Sequence, residues 1–174
     1  MNILTLHMGR DFDRLPDLVR AAHLGRVRLE GCVTVKRGGA IARAICNIFR
    51  FPPEAASCRL IVESEHTQDR IAWQRSFDGL GMASEFTQEG DFLVERLGLL
   101  SMYFIATEDS GRLSYEFTHT KLLGIRLPKF ISPSIEAYEA QGPNGYHFRV
   151  AVRMPLIGKI IEYYGVMSVL TLRA

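Results

Sequence analysis

Hydrophobic positions recur with helical spacing at the start of the chain, then switch to every second residue for most of the remainder. Residues 11–24, DFDRLPDLVRAAHL, put Leu15, Leu18, Val19 and Ala22 on one helical face. Asp13 can cap this helix, Pro16 is tolerated only near its start, and Gly25 ends it. Over 26–37 the period is two. Val27, Leu29, Gly31, Val33 and Val35 point one way and Arg28, Glu30, Cys32, Thr34 and Lys36 the other, which predicts a half-buried strand. Residues 40–50 return to helical period, with Ile41, Ala44, Ile45, Ile48 and Phe49 on one face and Arg43, Asn47 and Arg50 opposite. Pro52-Pro53 stops that helix.

Strands are expected near 57–65, 69–78, 82–88, 91–97, 100–108, 112–120, 133–140, 145–154 and 159–172. Short turn signals such as Asp78-Gly79, Glu89-Gly90-Asp91 and Ser110-Gly111 separate them, so neighbours pair antiparallel. Tyr146, Phe148, Val150, Val152 and Met154 alternate with His147, Arg149, Ala151 and Arg153; Leu113, Tyr115 and Phe117 repeat the inward pattern. The expectation is a mainly β (α+β) fold: one domain over 1–174, a curled meander of about nine or ten strands forming a barrel or half-barrel, with two short helices near the N-terminus.

Composition narrows the function classes. The 174 residues are 47% hydrophobic and 23% charged, ordinary for a folded chain, and the net charge of +2 lacks the basic excess of a nucleic-acid binder. Three cysteines without a CxxC suit a reducing compartment. The start MNILTLHMGR has no signal-peptide pattern, and no apolar stretch is long enough to span a bilayer. A cytoplasmic protein is expected, or one that touches a membrane without crossing it. The five histidines are scattered, so no metal site is expected, and no nucleotide motif implies a cofactor. Gly38-Gly39 is either a weak phosphate cradle or a plain turn into the helix, with the plain turn favoured. Cys46, near Arg43 and Arg50, is either activated or, the favoured reading, a packed inert thiol.

The informative irregularity lies in two strands. Ile71, Trp73, Arg75 and Phe77 share a face, as do Leu93, Glu95 and Leu97, so one charge interrupts each apolar row. Buried charges need partners. Either Arg75 and Glu95 meet inside the curl, where with Trp73, Tyr115, Phe117 and Phe148 they border a ligand cavity, or a bulge turns both to water. The cationic 40–50 helix either lies on anionic lipid or caps the sheet. LLGIRLPKFISP and MPLIGKIIEYYG are either exposed apolar patches or barrel corners.

Read in order, GRDFDRLPDLVRAAH, GCVTVKRG, FRFPP, WQRSFDG, FLVERLG, GRLSYEF, LLGIRLP, ISPSIEA, YHFRVAVRMPLIG and IEYYG span nearly the whole chain. On these segments the sequence resembles a bacterial family known only as a domain of unknown function, family 4166. The resemblance implies no activity and no catalytic residues. Relatives can carry the domain behind a dehydrogenase-like dinucleotide-binding module; no such module is seen in this sequence, so no nicotinamide chemistry carries over.

Three functions stay open. The favoured one is a non-catalytic binding domain that encloses a lipid-like or other hydrophobic small molecule, with Arg75 on an acidic head group. It predicts a cavity of about 300 Å³ or more. The alternative is a structural or protein-interaction domain with a solid core, for which a homodimer is open. The least favoured is an enzyme using Glu95 as a buried acid or base, assisted by His119 or His147.

Overall fold

The structure, a computed structural model, describes residues 2–172. Four short helices are present among the described residues: α1 (Ile3–Met8), α2 (Arg10–Asp13), α3 (Asp17–Ala21) and α4 (Ala40–Ile48). The strands are β1 (Arg26–Arg37), β2 (Ala55–His66), β3 (Ile71–Phe77), β4 (Leu80–Glu89), β5 (Phe92–Leu97), β6 (Leu100–Asp109), β7 (Arg112–Leu122), β8 (Ile125–Arg126), β9 (Ser134–Gly142), β10 (Gly145–Met154) and β11 (Gly158–Thr171).

Every pairing is antiparallel. From β1 to β7 each strand pairs with the next, β7 pairs directly with β9, and β11 returns to β1. The result is a closed ten-stranded barrel, with β8 as a short hairpin on the end of β7. Closure removes the unpaired edges that so long a meander would otherwise expose. Tight turns make it reachable. Asp78-Gly79 between β3 and β4 has φ of 47° and 89°, the doubly left-handed conformation that suits a two-residue hairpin.

The inward row of β1 is as its alternation predicts: Val27, Leu29, Val33 and Val35 are buried. The outward rows form ion pairs across strands, including Arg28 with Glu63, Arg70 with Glu85, and Arg149 with Glu136 and Glu162. No helix among the described residues is long and apolar enough to cross a membrane.

Two expectations about helices need correction. The 11–24 helix is split into α2 and α3 at Pro16, whose extended ψ of 151° breaks the helical path; Asp13 lies inside α2 and caps nothing downstream. Helix α1 precedes both, opened by a capping box in which Asn2 accepts from the Leu4 and Thr5 amides. These three helices close one end of the barrel. Helix α1 touches β4, β5 and β6, α3 touches β9, β10 and β11, and Leu4 and Val19 are fully buried beneath them.

Helix α4, at the other end, is rotated from the face expected. Ala42 and Cys46 are buried, while Ile41 and Ile48 are 64% and 76% exposed. The cause is close approach to β11. The Cys46 thiol donates to the Ile160 carbonyl at 3.6 Å, and a Cβ on Gly38 would stand 1.9 Å from the Lys159 carbonyl oxygen. Small side chains let the helix sit there, so its bulky face is turned out. Gly38 is thus accounted for as a close-approach turn. Burial pushes the Cys46 thiol pKa up, against the opposing charge of Arg37, as expected for a packed thiol.

Candidate functional site

The period-two rows carry polar groups into the barrel at two places. On β3 the inward row is Ile71, Trp73, Arg75 and Phe77; its neighbour β4 supplies Ser84, and β5 supplies Glu95. Arg75 donates to Ser84 Oγ at 2.7 Å and to Glu95 Oε1 at 3.0 Å, and Ser84 donates to the same carboxylate oxygen at 2.6 Å. The guanidinium also lies 4.5 Å from the Trp73 ring centre, a cation–π contact. Arg75 is 7% exposed, so both charges are inside and each finds the other. Ser84 and the Trp73 face add further contacts to the pair, which offset part of the cost of taking it out of water.

The second cluster centres on Glu139 of β9, which follows Ile135 and Ala137 on the inward row. Its carboxylate accepts from His23 Nε2 and from the Tyr115 hydroxyl at 3.1 Å, and Tyr146 is a further buried neighbour. Burial works against charge on Glu139, but the neighbouring His23 and the Tyr146 and Tyr115 hydroxyls outweigh it and hold the carboxyl below its ordinary range. Burial, reinforced by Glu139, raises the pKa of Tyr115 and Tyr146, so both hydroxyls stay protonated. The His23 ring meets His66 edge-on at 5.3 Å, and His66 Nε2 lies 3.0 Å from Ser64 Oγ. Burial and the neighbouring His23 push the His66 pKa down to about 2. The Nδ1 atoms of His23 and His66 have no hydrogen-bond partner among the described residues.

A cavity of about 80 Å³ lies between the two clusters. Five of the residues expected at a site, Trp73, Arg75, Glu95, Tyr115 and Phe148, line it together with Glu139. The volume falls well below the 300 Å³ or so expected of a ready-made pocket. Phe117 is not on the wall. It packs against Phe104 at 5.8 Å and borders a separate hollow of about 440 Å³, because the pairing of β7 with β9 stops at Glu116 and Glu136 and the wall parts there.

The histidines proposed to assist Glu95 face away from it. His119 stacks on Tyr103 at 4.2 Å, on the opposite side of its strand from the inward Thr120, and His147 alternates outward between Tyr146 and Phe148. The interior couples His23 to Glu139 instead. The signal for Glu139 was its phase with Ile135 and Ala137, and for His66 its phase with Leu60, Val62 and Ser64. His23 follows a broken helix and carried no periodic signal. Among the described residues, no three His, Cys, Asp or Glu side chains converge to hold a metal.

Fold and interior together define a class: closed antiparallel barrels plugged by helices at one end, with a buried polar network bordering an apolar cavity. The family model described as "Domain of unknown function (DUF4166)" matches residues 15–167, and the chain belongs to that family. No curated protein and no solved structure matched the chain significantly.

Proposed function

We propose that this is a non-catalytic binding domain whose interior takes the apolar part of a small molecule or lipid-like chain. One observation carries the reading: a single cavity joins apolar walls, such as Leu60, Phe86 and Val150, to a polar border whose charged groups are already paired within the protein. Such a border exchanges hydrogen bonds with a guest without stranding a bare charge. Arg75 shares its charge with Glu95, so a guest carboxylate entering here meets Glu95 and Glu139 as well. A neutral hydroxyl or carbonyl end suits this border better than the acidic head group expected from Arg75 alone. The free volume of about 80 Å³ requires half-buried Trp73 and Phe148 to turn aside for a longer chain.

That same volume favours the second reading, a structural or interaction domain with a solid core. Thermal melting and native mass spectrometry with decanol and decanoate separate the two. Concentration-dependent stabilisation by decanol, abolished by the cavity-filling Ala137→Phe in a folded protein, supports the binding domain. A stronger effect of decanoate restores the acidic head group. No shift and no bound mass with either probe overturns the binding domain and leaves the solid core.

A further inference from the structure

Ten of the fourteen large apolar side chains exposed among the described residues lie at one end of the barrel. Topology gathers them. In an antiparallel ring successive connections alternate between ends, so α4 and the β3–β4, β5–β6, β7–β9 and β10–β11 links share the end opposite α1–α3. Each link presents a bare apolar tip: Ile48 on α4, then Leu80, Leu99, Leu123 and Leu156, with Phe130 further along the β7–β9 link. Leu156 is 100% exposed. Leu123 and Leu156 also adopt positive φ, 51° and 66°, a conformation that favours glycine or asparagine. Nothing in the packing of the barrel calls for leucine there.

Charge separates the two ends. The links at this end with their flanks (38–54, 78–80, 97–100, 121–134 and 153–159) hold seven Lys and Arg against two acids, while the whole chain is only +2. Arg43 pairs with Glu54 and Lys159 with Glu162, but Arg50, Arg126, Lys129 and Arg153 are exposed and make no salt bridge among the described residues. The helix-plugged end, taken the same way over 2–26, 66–71, 89–92, 108–112 and 141–145, holds six Arg against eight acids.

We propose that this end of the barrel docks on an anionic lipid bilayer, its apolar tips entering the headgroup layer and its unpaired cations meeting lipid phosphates. Separate tips ringed by cations fit a soft anionic surface. A second copy presented face to face brings like charge against like charge. Ion pairs along the outer wall, such as Arg28 with Glu63, exclude immersion of the barrel side and make the contact end-on. The assignment does not depend on the interior being hollow.

Flotation of the full chain with vesicles tests it. Binding is expected to vesicles of equal parts phosphatidylcholine and phosphatidylglycerol, weaker binding to phosphatidylcholine alone, and release by added salt. The double variant Leu99→Ser/Leu156→Asp should bind at least about tenfold more weakly with an unchanged melting temperature, since both side chains project into solvent. Leu170→Ser, at the opposite end, should bind as the parent does. No flotation with anionic vesicles, or flotation indifferent to the double variant, overturns the proposal. A dimer in light scattering that Leu156→Asp dissolves, without vesicle binding, assigns the surface to a second copy.

Discussion

The Tyr115 hydroxyl on β7 donates to Oε1 of Glu139 on β9 at 3.1 Å, and the other oxygen of that carboxylate accepts from His23, which lies between α3 and β1. The carboxylate therefore ties the helical plug to the barrel wall. Asn2, which opens α1, donates to the His23 carbonyl at 2.6 Å, so the link extends to the first helix. The plug is held by directional bonds as well as by Leu4 and Val19.

Removing the carboxylate strands two donors, His23 Nε2 and the Tyr115 hydroxyl, in a buried site. Glu139→Ala is expected to cost about 3–5 kcal/mol, as for breaking a buried charge pair. Tyr115→Phe removes one donor and should cost about 1–2 kcal/mol. Urea unfolding measures both. Equal small losses would mean that water reaches the cluster in the folded protein.

Acid should weaken the fold well above the carboxylate range. Folded His66 resists protonation down to about 2 because burial and His23 oppose its charge. An unfolded imidazole takes a proton near 6.5, so between those values the unfolded chain binds one proton more and stability falls with falling pH, by up to about 1.4 kcal/mol per unit. His7, also pushed down by burial, acts in the same direction. The depressed Glu139 carboxyl adds its loss further down, as pH drops through its folded value. His66→Gln should recover roughly 1.4 kcal/mol of the loss between about pH 7.5 and 5.5. Identical pH slopes for parent and variant would mean that His66 is protonated inside the barrel.

The alternation in β3 and β5, apolar with one charge in phase, is compatible with an inward pair or with a bulge that turns both charges to water; the register of the closed ring decides between them, with Arg75 paired to Glu95. Other features were hidden for definite reasons. Helix α1 is six residues long, too short to show a period. The buried face of α4 consists of small residues, Ala42 and Cys46, which a hydrophobicity pattern ranks below Ile41 and Ile48. The His23–Glu139 bond joins positions 116 apart, a separation only the closed topology brings together. Cavity volume depends on how Trp73, Phe148 and their neighbours turn, which no sequence pattern encodes.

Arg75 and Glu95 should behave as a coupled pair. Arg75→Met leaves the half-buried Glu95 with Ser84 as its remaining donor, and a cost of about 3 kcal/mol is expected. Arg75→Met/Glu95→Met removes both charges and should cost clearly less than the two single losses combined, with a coupling of about 1–3 kcal/mol in a double-mutant cycle. Additive losses would contradict a direct pairing of the two groups.

Two adjacent glycines should respond oppositely to a single methyl group. At Gly38 an added Cβ meets the Lys159 carbonyl oxygen at 1.9 Å and the Ala42 Cβ at 2.8 Å. Neither is the free end of a flexible side chain, so relief requires α4 to lift from β11, which also stretches the Cys46 contact with Ile160. Gly38→Ala is therefore expected to cost about 1–3 kcal/mol, as for overpacking elsewhere. At Gly39 nothing lies within 4 Å of the added carbon, and its φ of −65° is open to any residue. Gly39→Ala should be neutral or slightly stabilising, because alanine narrows the unfolded ensemble. Paired denaturation curves decide the matter: a loss at position 39 equal to that at 38 would show that flexibility of the turn, rather than the close approach of α4 to β11, is what this sequence requires.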